Sequence, residues 1–373
     1  MSRMAKIFFS RNPYNSKRAD NAFLDAVREN VRFQAAHCPV YARILENCGF
    51  SPDELKNEAD LYRIPPLPTL HFKRNSLFSV PESEFALVAT SSGTKGAKST
   101  VAFDKKTLFY GFGMAARFFL HHHVVSLLPT NYIVLGYEPS KHTSIGAVKT
   151  AYGVTKFAPA LSRTYALKDT GKGYEPNQIG VLEALERYAK QGFPVRFVGF
   201  PSYLYFLVSE LKKTGVHYQL NPHSKILLGG GWKQFAGNEI DRNELYELVY
   251  ETLGIKQAHC HEFFSAAEHP LPYCKCKNGH FHIPVYSRVI IRDAITLEPV
   301  ADGMPGLLNF VTPLVNSMPL VSVMTDDIAV KRPAEDCGCG NPKPFFDLLG
   351  RANVKDVKTC AAGANERLTG GGI

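Results

Sequence analysis

The amino-acid sequence predicts an α/β architecture, with helices flanking a mainly parallel sheet and an antiparallel β subdomain following it. Three observations carry this expectation. Between residues 131 and 255, strand-like apolar runs alternate with amphipathic helical patterns, the order that builds parallel sheets covered by helices. After residue 270 the texture changes to short strands separated by Pro, Gly and Asp turns, which suits antiparallel pairing. Before residue 50, apolar side chains recur at helical spacing.

In chain order, residues 20–48 read as two helices divided at Pro39, because proline cannot continue a helix. Pro65, Pro66 and Pro68 mark a turn. Residues 84–90 (EFALVAT) form a short strand that leads into a Gly/Ser/Thr loop. Residues 131–137 (NYIVLGY) read as a buried strand. Residues 180–192 form an amphipathic helix on Val181, Leu182, Leu185 and Tyr188, followed by the strand Val195 to Phe200. A helix over 202–213 precedes the strand Lys225 to Leu228, which ends in Gly229, Gly230 and Gly231. A helix over 242–253 and a short apolar stretch around Ile255 complete the alternation. The expected organisation is a helical segment over 1–80, an α/β core over 81–270, a β subdomain over 271–350 and a short tail over 351–373.

Composition narrows the function. The chain has 373 residues, above the usual domain of about 100–200 residues, so one large or two unequal domains are expected. Its formal charge of +9 suits nucleic acid, an anionic membrane or an anionic substrate such as a nucleotide. The basic residues are dispersed, and neither a zinc-finger nor an RNA-recognition signature occurs, which argues against nucleic acid. No apolar run of about 18 residues exists to cross a membrane. The N-terminus lacks an apolar stretch of signal-peptide length, so a cytoplasmic location is expected. The cysteine count of 8 is too low for a disulfide scaffold and suits reduced thiols or metal ligands.

Five constellations can carry chemistry. Thr90-Ser91-Ser92-Gly93-Thr94-Lys95-Gly96-Ala97-Lys98-Ser99 offers backbone N–H groups, hydroxyls and ammonium groups to a polyphosphate. It is not a Walker A loop, since Lys98 stands where the second glycine belongs, and a plain surface turn is the alternative. His261 to Glu268 ends an apolar run in a carboxylate that can hold Mg²⁺ near phosphate, with aromatics able to lie against a base. A buried strand ending in a surface glutamate explains it equally. Thr325-Asp326-Asp327-Ile328 places acids at a strand end, where a carboxylate can accept from ribose hydroxyls or simply occupy a turn. Cys274-x-Cys276 and Cys337-x-Cys339 supply four thiolates for a tetrahedral Zn²⁺ site, or remain free thiols; His261, His269, His280 and His282 lie near as substitutes. Cys360, near Lys355 and Lys358, can serve as a nucleophile of lowered pKa or be inert. Cys38 and Cys48 read as core residues, His121 to His123 as a helix end, and Trp232 as a pocket wall.

The order of these pieces resembles the adenylate-forming acyl ligases: a Ser/Thr/Gly/Lys loop, an aromatic-x-x-x-Glu after a Gly-rich strand, an Asp after a second strand, then Gly350-Arg351. Cys38-Pro39-Val40-Tyr41, Leu61 to Pro66, Phe200-Pro201-Ser202-Tyr203 and the Cys-x-Cys pairs are similar to the phenylacetate–CoA ligase branch. Only 22 residues follow Arg351, too few for that branch's C-terminal lid. In this, in the Leu227 to Lys233 segment and in a cysteine near the C-terminus, the chain resembles the acyl-protein synthetase (LuxE-like) family.

That resemblance implies the large adenylate-forming domain with mixed sheets and a truncated lid. It implies that Ser91, Ser92, Gly93, Thr94, Lys95 and Gly96 hold phosphates and that Gly229, Gly230 and Gly231 lie by the adenine. Phe264 would contact the nucleotide, Glu268 would take Mg²⁺, Asp327 would bind ribose and Arg351 would mark the hinge. Lys95, Glu268 and Cys360 would act in catalysis, with Cys360 accepting the acyl group. Two positions depart from the family pattern: Ala267 replaces a small hydroxylated residue, and Met324 replaces an arginine. The implied reaction uses ATP and Mg²⁺ to turn a carboxylic acid, by family a long-chain fatty acid, into an acyl adenylate. The acyl group then passes to the enzyme's cysteine and on to a reductase partner, with a homo-oligomer as a further option. The alternatives are a CoA ligase releasing a free thioester, and a non-catalytic nucleotide-binding scaffold.

Overall fold

The computed structural model describes the chain except residues 76, 91–98, 141–145, 233, 234, 236, 238 and 352–373. Its helices are α1 (Arg3–Phe8), α2 (Lys17–His37), α3 (Pro39–Asn47), α4 (Thr69–Arg74), α5 (Lys105–His121), α6 (Gly146–Val154), α7 (Gln178–Gln191), α8 (Pro201–Thr214) and α9 (Arg242–Leu253). The strands of the first two-thirds are β1 (Leu67–Pro68), β2 (Phe85–Thr90), β3 (Thr100–Asp104), β4 (Thr130–Tyr137), β5 (Ala160–Asp169), β6 (Tyr174–Pro176), β7 (Val195–Gly199), β8 (Lys225–Gly229) and β9 (Cys260–Ala266). Those of the last third are β10 (His269–Cys274), β11 (Phe281–His282), β12 (Arg288–Arg292), β13 (Pro305–Val311), β14 (Ser322–Arg332) and β15 (Phe345–Arg351). The chain forms two compact units, Met1–His121 with Ala266–Ile373, and His122–Ser265. The stretch expected as one core, residues 81–270, therefore contributes to both.

In the second unit, β9, β8, β7, β4, β5 and β6 are neighbours in that order. All these pairings are parallel except that of β6, which closes on β5 antiparallel. Side chains alternate across such a sheet. One face presents Ile133, Leu135, Phe197, Ile226 and Leu228 to α7, α8 and α9, which bury Leu185, Tyr188, Leu204, Val208, Val249 and Leu253 against them. Each fully buried side chain of this kind contributes about 1.5–3 kcal/mol. The three helices stop where Gly192, Gly215 and Gly254 adopt left-handed backbone, the conformation glycine takes without a Cβ clash.

The first unit holds the antiparallel sheet β11-β15-β14-β13-β12, with β1 added in parallel to β14, and the hairpin β2-β3. Helix α2 begins at Ser16, whose side chain accepts from the Ala19 N–H. Its buried stripe runs through Phe23, Val27, Asn30, Val31 and Gln34. Asn30 Nδ2 donates to the Pro313 and Val315 carbonyls at 3.1 and 3.0 Å, and Gln34 Nε2 to Asn316 at 3.0 Å. These bonds satisfy backbone that would otherwise be buried unpaired. The chain leaves α2 at Cys38, before Pro39, as the sequence predicts. Among the described residues no helix is long and apolar enough to cross a membrane.

Candidate active site

Glu268 lies in the turn between β9 and β10 and is 5% exposed. Its Oε1 accepts a short hydrogen bond from the Ser99 hydroxyl, itself fully buried. Ser99 is the last residue of the Thr90 to Ser99 stretch and is itself described, so the carboxylate meets that C-terminal residue. Ser91 to Gly96, with Lys95, fall outside the described residues, as does Cys360. The Ser99 contact was not visible in the sequence, where this serine reads only as one more loop hydroxyl.

Asp327 is 8% exposed and sits in β14 directly across from Arg351 in β15. Arg351 Nε donates to Asp327 Oδ1 at 3.0 Å, and the Asp327 N–H donates to Thr325 Oγ1 at 3.3 Å. The guanidinium also lies within electrostatic range of Asp326 and Glu268. Asp326 is held from its other side by Lys73 at 3.6 Å. One region of this unit thus gathers three carboxylates around Arg351. Met324 is a buried core residue paired with Asn309.

In the second unit, Gly229 ends β8 opposite Phe263, and a Cβ there would meet the Phe263 carbonyl oxygen at 3.3 Å. Gly230 and Gly231 follow with φ of 83° and 66°, left-handed values that L side chains resist. The glycines therefore form a narrow turn at the carboxyl end of a parallel strand, where ligands of open α/β sheets bind. Phe264 is half-buried on β9. Trp232 is 8% exposed, with its ring 5.6 Å from that of Tyr205.

The cysteine pairs converge in the first unit, with one change from the expected set. Cys276, Cys337 and Cys339 gather with His282, all four donor atoms lying within 4.8 Å of one another. Cys276 Sγ is 3.5 Å from Cys337 Sγ, and His282 Nε2 is 3.2 Å from Cys337 Sγ and 3.1 Å from Cys339 Sγ. Cys274 does not join them: β10 ends there, and a turn closed by Gly279 N–H on the Cys276 carbonyl at 2.9 Å carries Cys276 away. His282 takes the vacant corner because β11 pairs with β15, and its Nδ1 is oriented by the Lys343 carbonyl at 2.6 Å. Three thiols and an imidazole at these spacings fit a tetrahedron with Zn–S of about 2.3 Å and Zn–N of about 2.0–2.1 Å. Burial pushes the Cys276 thiol up, but hydrogen bonding from His282, nearby N–H groups and Cys337 outweighs it and brings the thiol below its usual range. A thiolate is thus favoured at one corner.

Comparison with solved structures places the fold. A 2-hydroxyisobutyryl-CoA ligase in complex with 2-HIB-AMP and CoA superposes with a TM-score of 0.68 at 18% identity, covering 92% of this chain and 70% of that one. The chain thus has the fold of the adenylate-forming ligases. The family model described as acyl-protein synthetase, LuxE, matches residues 2–369, and the chain belongs to that family. It is 26% identical over 334 residues to the long-chain-fatty-acid–luciferin-component ligase of Vibrio harveyi, covering 83% of this chain and 79% of the relative. It is also 24% identical over 337 residues to a phenylacetate-coenzyme A ligase of Thermus thermophilus, covering 88% and 69%.

Proposed function

We propose that this protein activates a long-chain fatty acid with ATP and then takes the acyl group onto its own Cys360. The observation that carries the reading is the buried Glu268 bonded to Ser99 at the end of the hydroxyl, glycine and lysine stretch, in a chain matched by the LuxE family from residue 2 to 369. A carboxylate oxygen of the substrate attacks the α-phosphorus of ATP, and the bond to the β-phosphate oxygen breaks to release pyrophosphate. The backbone and Lys95 of the 91–96 stretch would stabilise the charge that develops there. Glu268 would hold Mg²⁺, which supplies Lewis-acid stabilisation of the phosphates. Asp327 would accept from the ribose hydroxyls while Arg351 restrains its carboxylate. Gly229 to Gly231 and Phe264 would receive the adenine.

In the second step the Cys360 thiolate attacks the adenylate carbonyl, AMP leaves, and the acyl group remains as a thioester. A reductase partner would then accept it. Cys276, His282, Cys337 and Cys339 would bind Zn²⁺ in a structural role, since four protein donors leave no open position.

Fatty-acid-dependent exchange of labelled pyrophosphate into ATP tests the first step. Exchange with long-chain acids is expected; none with any carboxylic acid would contradict the reading and favour a non-catalytic nucleotide-binding protein. The likeness to phenylacetate-coenzyme A ligases favours one second reading, transfer of the acyl group to external coenzyme A. Release of a free CoA thioester would support it.

A further inference from the structure

We propose that the second unit carries, apart from the adenylating site, a binding site for a compact tetrahedral oxyanion, inorganic phosphate or the terminal phosphate of an organic monoester, built around Arg196. Arg196 on β7 is 1% exposed, and its Nε and Nη1 have no hydrogen-bond partner among the described residues. A buried guanidinium without a counter-charge is strongly disfavoured. An orphaned buried donor of this kind calls for a ligand.

The neighbours repeat the pattern. Strand register sets Tyr132 of β4 and Lys225 of β8 beside Arg196 on the face opposite α7, α8 and α9. His261 of β9 lies on the same face, two residues further along. His261 Nε2 is also buried without a hydrogen-bond partner among the described residues, and the buried Tyr132 Oη makes no hydrogen bond of normal geometry although it lies close enough to Arg196 to act on the guanidinium. Arg196 and Lys225 act electrostatically on each other and on His261. Glu262, adjacent in sequence, is on the other face, accepting from Tyr246 Oη at 2.7 Å and paired with Arg242 at 2.6 Å. Arg163 closes one side, its Nε donating to Thr155 Oγ1 at 2.8 Å. The half-buried Lys225 provides the rim.

Two cations, a phenol and an imidazole suit the several lone pairs of a phosphate, and arginine matches its geometry in two-pronged fashion. Lys225 begins β8 and Gly229 ends it. At about 3.3 Å per residue the glycine turn is roughly 13 Å from Lys225 and the Arg196 level and about 7 Å from the level of His261, so the site is centred apart from the turn.

Calorimetric titration of the full-length protein with sodium phosphate, against sodium chloride at matched ionic strength, tests the proposal. One saturable, phosphate-specific site is expected in the wild type, at least tenfold weaker in Lys225→Gln and absent in Arg196→Met. Without phosphate, Arg196→Met should be as stable as the wild type, because it removes an uncompensated buried charge. Phenyl phosphate binding as tightly as phosphate would identify a monoester ligand, and weaker binding a free anion; either supports the site. No phosphate-specific binding, or binding unchanged in Lys225→Gln, would overturn it. Lys225→Gln decides the matter even if Arg196→Met does not fold, and neither variant alters the residues assigned to adenylation.

Discussion

Glu268 is buried and already held by one hydroxyl, so its replacement by glutamine keeps the shape while removing the charge. Glu268→Gln is expected to lower fatty-acid-dependent pyrophosphate exchange by about 100-fold or more, a loss typical of removing a transition-state electrostatic group. Thermal melting should move by only a few degrees. Asp327→Ala is expected to act differently, raising KM for ATP by about tenfold with a smaller effect on kcat, since a ribose contact is made equally in ground and transition states. If the Cys276, His282, Cys337 and Cys339 cluster holds zinc as proposed, His282→Ala should abolish it, measured by elemental analysis, whereas Cys274→Ser should leave one zinc per chain. The sequence exposed Cys276, Cys337 and Cys339 through their paired spacing. It offered His282 only as one of four nearby histidines, because a lone histidine carries no local signal and only the pairing of β11 with β15 brings this one to the thiols.

Among the elements, β7 has the tightest backbone constraint. Gly199 has φ of 140°, and a Cβ there would meet the Leu135 carbonyl oxygen at 2.3 Å. Neither strand can shift without disturbing the core below, so Gly199→Ala is expected to cost about 2–4 kcal/mol in urea unfolding. Helices α7, α8 and α9 were legible because each carries one apolar stripe and stops at a glycine. Helix α5 was not, for a physical reason. Gly111 and Gly113 interrupt it, and it exposes Phe109 and Phe112 at 63% and 68%, so apolar residues surround the axis and no face stands out. A Cβ on Gly113 would strike the Phe9 ring at 2.2 Å, so that glycine serves the close approach of α1 rather than helix propensity. Strand β5 escaped detection because it is half-buried along most of its length and gives no clean alternation.

For the molecule as a whole, the sequence conveyed the layer types but not the path of the chain through two units. The pairing of β1 with β14, Leu67 opposite Val323, joins segments far apart, and no local pattern encodes it. Acid stability is also a property of the whole fold. His269 is fully buried, stacked 4.3 Å from Phe310 with Nε2 2.8 Å from Tyr273 Oη, and burial lowers its pKa to about 3. The unfolded chain binds this proton near pH 6.5, so the neutral imidazole's stability is fully present above that pH and is lost as pH falls toward 3. The melting temperature should drop over that window, and His269→Phe should make the acid limb shallower. The central claim is self-acylation, and intact-mass spectrometry after incubation with ATP and a panel of fatty acids tests it most directly. The account expects one acyl group per chain, removed by neutral hydroxylamine and absent in Cys360→Ala. An adduct that persists in Cys360→Ala, or no adduct alongside free acyl-CoA when CoA is supplied, would contradict it.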